Sequence, residues 1–152
     1  MATRSRRSGT PTEALLAALG GREASRRGRL RLEELREKVR RGLPYDALES
    51  LLRRFELPRD QTIVVLRLSP RTLARRKAER RLSVEESDRL LRLARVVERA
   101  VQVLGDRERA RRWLTAPSPA LGQAVPLALL DTDLGTHQVE ELLGRIDFGV
   151  YS

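Results

Sequence analysis

The chain has 152 residues, 40% of them apolar, with five aromatics, no cysteine and a net charge of +10. That length holds one domain or two very small ones around an aliphatic core. The absence of cysteine excludes disulfides, thiolate metal sites and a thiol nucleophile. No apolar run approaches the roughly 20 residues needed to span a bilayer. The expectation is a cytosolic protein with no membrane association.

The charge is unevenly spread. Residues 1–42 carry +7, residues 43–82 carry +5 and residues 83–152 carry −2. Arginine dominates lysine by 29 to 2, which reflects base composition as readily as function, but base composition does not explain the asymmetry along the chain. A basic first half favours an anionic partner, nucleic acid before membrane surface.

Residues 1–28 are rich in Arg, Ser, Gly and Thr around one short apolar island, Ala14–Leu19. They read as a disordered basic tail, able to add phosphate contacts or simply solvated. A first helix is predicted from Leu30 to Arg41, with Leu32, Leu35 and Val39 as its stripe and Gly42 as a left-handed cap. Pro44 opens a second helix whose face is Ala47, Leu48, Leu51, Leu52 and Phe55. Pro58 opens a third in which Ile63, Val64 and Leu66 turn inward. The β-branched run Ile63-Val64-Val65 makes a short strand the competing assignment there.

Ser69 caps a short basic helix, about Pro70 to Arg81, in which Arg71, Arg75, Arg76, Lys77, Arg80 and Arg81 oppose one Glu79. A short helix, a tight turn and a second helix with Arg near its start form the helix-turn-helix pattern. Arg71, Thr72, Arg75, Arg76 and Lys77 are the candidate DNA-binding residues, because the guanidinium fork matches guanine's acceptors or a phosphate. The turn lacks the glycine common in such motifs. A solvated basic face on a bundle helix is the competing reading.

From about Val84 to Leu104 the chain writes a long amphipathic helix, with Leu90, Leu93, Ala94, Val97, Ala100, Val101 and Leu104 on one face. Ser83 and Glu86 form a capping box at its start. Arg89, Arg92, Arg95 and Arg99 lie opposite, with Glu86, Asp88 or Glu98 as local partners. Asp106 caps a further helix that carries Trp113, the only Trp, expected in the core. After a Pro-rich turn at 117–119, Pro126 opens a helical turn. Asp131-Thr132-Asp133 caps a last helix, about Leu134 to Ile146, striped by Val139, Leu142, Leu143 and Ile146. His137 reads as a surface residue. Phe148 is expected to fold back on the domain, and Val150–Ser152 to meet a partner.

Several of these strings occur together in a known arrangement: R-T-L-x-R-R at 71–76, L-S-x-E-E-S-D-R-L-L-R-L-A-R at 82–95, A-x-x-W-L at 110–114, P-x-x-A-L-G at 117–122, P-L-x-L-L-D-T-x-x-G at 126–135 and L-L-G-R-I-x-x-G-V-Y-S at 142–152. In this order and spacing the chain, from about Leu32 onward, resembles the Xre/MbcA/ParS-type antitoxins. The resemblance implies an all-α fold: an Xre-like helix-turn-helix DNA-binding and dimerisation domain at 29–95, joined by the long helix to a small helical toxin-binding domain at 96–152. It implies a homodimer, operator DNA and a RES-domain, NAD-consuming toxin as partners, with autorepression of the operon. It places Arg71, Thr72, Arg75 and Arg76 at DNA, and Arg145, Gly149, Val150, Tyr151 and Ser152 at the toxin's NAD cleft. No cofactor, no metal and no catalytic residue of the chain's own is expected. A lone histidine, no phosphate-binding loop and no clustered carboxylates speak against an enzyme independently. The alternative is a stand-alone helix-turn-helix regulator whose C-terminal part dimerises or senses a ligand.

Overall fold

The structure, a computed structural model, describes residues 32–149. The 1–28 tail and Val150, Tyr151 and Ser152 lie outside the described residues, and so does the side chain of Leu32. Among the described residues there are helices and no strand, in the order α1 (Leu32–Arg41), α2 (Tyr45–Phe55), α3 (Arg59–Val65), α4 (Pro70–Glu79), α5 (Val84–Leu104), α6 (Arg107–Thr115), a 3-10 turn (Pro119–Leu121), α7 (Pro126–Leu129) and α8 (Asp133–Asp147). The all-α reading holds, with a helix-turn-helix segment followed by a C-terminal helical part.

The long helix α5 is the axis of the bundle. Leu90, Leu93, Ala94, Val97 and Ala100 of its expected face are buried, together with Val96, while Val101 and Leu104 are half-buried. It packs against α1, α2, α6 and α8. The expected capping box is present: Glu86 N donates to Ser83 Oγ at 3.2 Å, and Ser83 N donates to Glu86 Oε2 at 2.8 Å. The helix ends at Gly105, and Asp106 caps α6 by accepting from Arg109 N at 2.8 Å.

Residues 59–65 are helical despite the β-branched run, because Pro58 starts the helix and its sheltered side packs on α7. The inward set differs from the expected one. Thr62, Val65 and Leu66 are buried and Ile63 is half-buried, whereas Val64 is 71% exposed. Helical rotation of about 100° per residue separates neighbouring valines and sends only one of them to the core.

The α3–α7 contact joins the helix-turn-helix to the C-terminal part. One buried cluster runs from Leu35 through Leu48, Leu66 and Leu93 to Leu127 and Leu143, and it is aliphatic apart from Tyr45 and Phe55. Trp113 is half-buried against this cluster, and Leu114 beside it is fully buried.

Two linkers are laced together across the bundle. Leu82 N donates to Leu43 O at 2.9 Å, Tyr45 N to Arg80 O at 3.1 Å and Leu43 N to Ser87 Oγ at 2.8 Å. Gly42 makes this possible. Its φ is +84°, and a Cβ there would sit 2.3 Å from Leu82 O. Gly135 plays a similar part near the start of α8, where a Cβ would fall 1.9 Å from Leu129 O.

The arginines of α5 do not pair as the local pattern suggests. Arg92 keeps a local partner, Asp88, at 2.7 Å. Arg95 instead reaches Glu140 at 2.9 Å and Arg99 reaches Asp147 at 2.7 Å, both on α8. Arg92 also approaches Asp133 at 3.8 Å, and Arg89 donates to Leu66 O at 3.3 Å. These cross-helix pairs are largely exposed, so each contributes only tenths of a kcal/mol. Their effect is to fix which side of α8 faces α5.

Gly42→Ala combines a positive φ with a backbone clash and is expected to cost ~2–4 kcal/mol, read by urea unfolding. Glu86→Ala removes the capping bond and the partner of Arg76 together, and is expected to cost ~2–3 kcal/mol in the same assay. Burial pushes the Glu86 carboxyl up, but the Ser83 N–H and the Arg76 guanidinium outweigh burial and hold it below its ordinary value of 4.5. The Glu86 contribution is therefore complete above about 4.5 and is lost as pH falls through the depressed value. Acid titration of the wild type should show this loss, and Glu86→Ala should flatten that part of the profile.

Candidate functional site

Helix α3, the turn at residues 66–69 and helix α4 form the helix-turn-helix. Leu66 and Leu68 anchor the turn in the core. Arg67 takes φ +56°, the left-handed conformation that glycine adopts readily. The expected glycine is missing from the sequence, but the backbone geometry that would favour it is present.

Ser69 caps α4. Thr72 N donates to Ser69 Oγ at 3.1 Å, and the Ser69 hydroxyl donates to Thr72 Oγ1 at 2.9 Å. Pro70 occupies the first turn, where a missing N–H costs nothing. No residue of α4 is buried, and Leu73 alone packs half-buried against the core. Arg71, Arg75 and Lys77 are exposed. No ion pair among the described residues holds any of these three.

Arg76 is placed differently. Its side chain is 18% exposed, with Nε 2.8 Å from Glu86 Oε2 and Nη1 3.0 Å from Glu79 Oε2. Hydrogen bonds from Arg76 to Glu86 and then Glu79 raise its pKa. It ties α4 to the first turn of α5. Helix α4 also ends earlier than the charge pattern suggests. Arg80 takes φ +59° as its C-cap, so Arg80 and Arg81 lie beyond the helix. The Arg81 guanidinium turns back to donate to Arg41 O at 2.8 Å, at the end of α1.

A polar cleft opens beside the end of α4, lined by Tyr45, Asp46, Glu49, Arg59, Lys77 and Arg80. Within it Arg59 donates to both carboxylate oxygens of Glu49, at 2.9 and 3.0 Å, and the Tyr45 hydroxyl donates to Glu49 Oε1 at 2.9 Å. The Arg59 hydrogen bond, against the effect of burial, holds the Glu49 carboxyl below its ordinary value. Burial first, and the bond to Glu49 second, push the Tyr45 hydroxyl up. Glu49 and Arg59 are ten residues apart on different helices, so no local pattern announces their pairing.

In the C-terminal part Thr132 caps α8, accepting from Gly135 N at 3.0 Å. Val139, Leu142 and Leu143 are buried. Arg145 and Gly149 are exposed, and Gly149 has φ +68°. Phe148 does not fold back. It is the C-cap of α8 and 84% exposed. The helix presents it opposite the buried flank, and its backbone N–H closes the last turn by donating to Gly144 O at 3.1 Å. His137 is exposed. Among the described residues no group of three or more His, Cys, Asp or Glu could hold a metal ion, and no helix is long and apolar enough to cross a membrane.

Comparison with known proteins adds the family. Residues 34–95 match the antitoxin Xre-like helix-turn-helix domain, and residues 99–149 match the antitoxin Xre/MbcA/ParS C-terminal toxin-binding domain. An antitoxin Xre from Yersinia enterocolitica is 32% identical over 118 residues, covering 76% of this chain and 80% of that protein. One from Photorhabdus laumondii is 29% identical, covering 73% of this chain and 76% of that protein. A protein named Prs ADP-ribosylating antitoxin, from Sphingobium sp. strain YBL2, is 29% identical over 75% of this chain and 78% of its own length. With its helix-turn-helix and its toxin-binding part in that order, the chain belongs to the Xre family of antitoxins.

Proposed function

We propose that this antitoxin neutralises a RES-domain, NAD-consuming toxin by direct binding, with its C-terminus at the toxin's active site, and that it binds operator DNA as a homodimer to repress its own operon. DNA binding and dimerisation are assigned to residues 29–95, and toxin binding to residues 96–152. The name of the Sphingobium relative, an ADP-ribosylating antitoxin, supports a partner that uses NAD chemistry.

The observation that carries the DNA half is the condition of α4. It buries none of its residues, yet it is capped, anchored at Arg76 and studded with exposed Arg71, Arg75 and Lys77. A helix that contributes so little to the core is held in place for its outer face. Arg71 and Arg75 are the readers of base edges or phosphates, Lys77 a phosphate contact and Thr72 a hydroxyl near the helix start. Arg76 acts from behind by holding the helix to Glu86. On the toxin side, Arg145 and Gly149 lead into Val150, Tyr151 and Ser152, which are assigned to the NAD cleft.

With three cations of α4 neutralising phosphates, log K for each half-site should fall with log salt at a slope of about −2.7. Arg71→Ala or Arg75→Ala should weaken operator binding by ~1–3 kcal/mol where a base edge is read. Gel-shift titrations across salt concentrations check both. A salt-independent affinity would remove α4 from the interface. On the toxin side, NAD consumption by the RES-domain toxin that this chain neutralises should stop at stoichiometric antitoxin. A chain lacking residues 150–152 should fail to stop it. Absence of inhibition even by the intact chain would leave a stand-alone DNA-binding regulator.

A further inference from the structure

Four large apolar side chains are exposed among the described residues: Val64, Val84, Leu134 and Phe148. The last two lie in the segment matched by the toxin-binding family, and both belong to α8, at 72% and 84% exposure. At about 100° and 1.5 Å per residue, Leu134 and Phe148 point within about 40° of each other and stand about 21 Å apart. Gln138, Glu141 and Arg145 fall between them on the same stripe, and all three are exposed.

Helix α8 is not free to roll and hide this stripe. Val139, Leu142 and Leu143 hold the opposite flank in the core. Glu140 and Asp147 are tied to Arg95 and Arg99. Gly135 sits with no room for a Cβ against Leu129 O. Two large apolar groups are therefore kept in water, at opposite ends of one face, by the packing of the rest of the helix.

We infer that this outward stripe of α8 is the surface on which the toxin docks and the main source of its affinity. The inference rests on the toxin-binding reading above. Two observations choose the occupant. The stripe lies within the toxin-binding segment. A second copy fits poorly. Two α8 helices packed antiparallel about a two-fold axis would set Leu134 against Phe148, but the midpoint of that pairing is Glu141, so two like carboxylates would meet at the axis. The partner that fits is a different protein surface, with apolar depressions about 21 Å apart for Leu134 and Phe148 and an acidic group for Arg145. That span suits an interface of about 800 Å² on each side.

The test measures binding of a RES-domain toxin, by calorimetry, to four chains: intact, Leu134→Ala, Phe148→Ala and one ending at Gly149. Each alanine variant should raise Kd at least about tenfold, as anchors in apolar pockets do. The chain ending at Gly149 should bind within about threefold of intact yet leave NAD consumption running. Unchanged melting curves for the alanine variants exclude unfolding as the cause, since both sites are exposed. Alanine variants that bind like the intact chain, while the shortened chain loses binding, would overturn the proposal and leave the toxin as partner. An intact chain that does not bind this protein at all would overturn the partner reading and the proposal with it. If Phe148→Ala converts a dimer to a monomer in sedimentation, the occupant is a second copy and the proposal fails.

Discussion

One carboxylate anchors the second helix of the helix-turn-helix to the axis of the bundle. Glu86 closes the first turn of α5 by accepting from Ser83 N, and it accepts from Arg76 at the same time. A capping box is ordinarily local and uses neighbours three residues apart. Here the same group also reaches ten residues back and holds α4, a helix with no buried residue of its own. Without that link α4 would rest on its cap, on half-buried Leu73 and on its flanking linkers. A charge pair suits this task better than an apolar contact, because a guanidinium held at Nε by one carboxylate and at Nη1 by another is constrained in direction as well as distance.

The fold then distributes this fixed point. The laced linkers at 42–45 and 80–87 connect the start of the bundle to the start of α5 by backbone hydrogen bonds, which are insensitive to side-chain identity except at Gly42 and Ser87. From the far side α3 packs on α7. The helix-turn-helix and the C-terminal part thus share one aliphatic core, although the family assigns them separate roles. The α5–α8 pairs add orientation to that core. Their exposed geometry makes them weak in energy, but they set which side of α8 is covered.

Much of this was legible in the sequence, and the rest was missed for identifiable reasons. Caps are encoded within four residues, so Ser69, Ser83 with Glu86, and Asp106 could be read directly. The α5 stripe follows from periodicity over 21 residues. Periodicity failed in α3 because seven residues are too few to distinguish Val64 from Val65. The partners of Arg95 and Arg99 lie 45 and 48 residues away on α8, beyond any local rule. Arg76 looked like one more cation in a basic helix, and only the approach of α5 separates it from Arg75. Hydrophobicity alone predicts that Phe148 folds back on the domain, whereas its place on the α8 wheel, opposite Val139 and Leu142, sends it outward. The charge pattern overruns the end of α4, because charge continues through Arg81 while the helix stops at Glu79.

The absence of buried residues in α4 has a consequence for how such a protein changes over generations. In most helices a substitution must satisfy the interior before it can serve anything else, and the two demands conflict. Positions 71, 74, 75, 77 and 78 are all exposed, so the chain can sample new side chains there with almost no penalty to folding. The outer face of α4 can then change while Ser69, Leu73, Arg76 and Glu86 stay as they are. A lineage built this way can part from its sisters by rewriting a few surface letters of α4 without rebuilding the scaffold beneath.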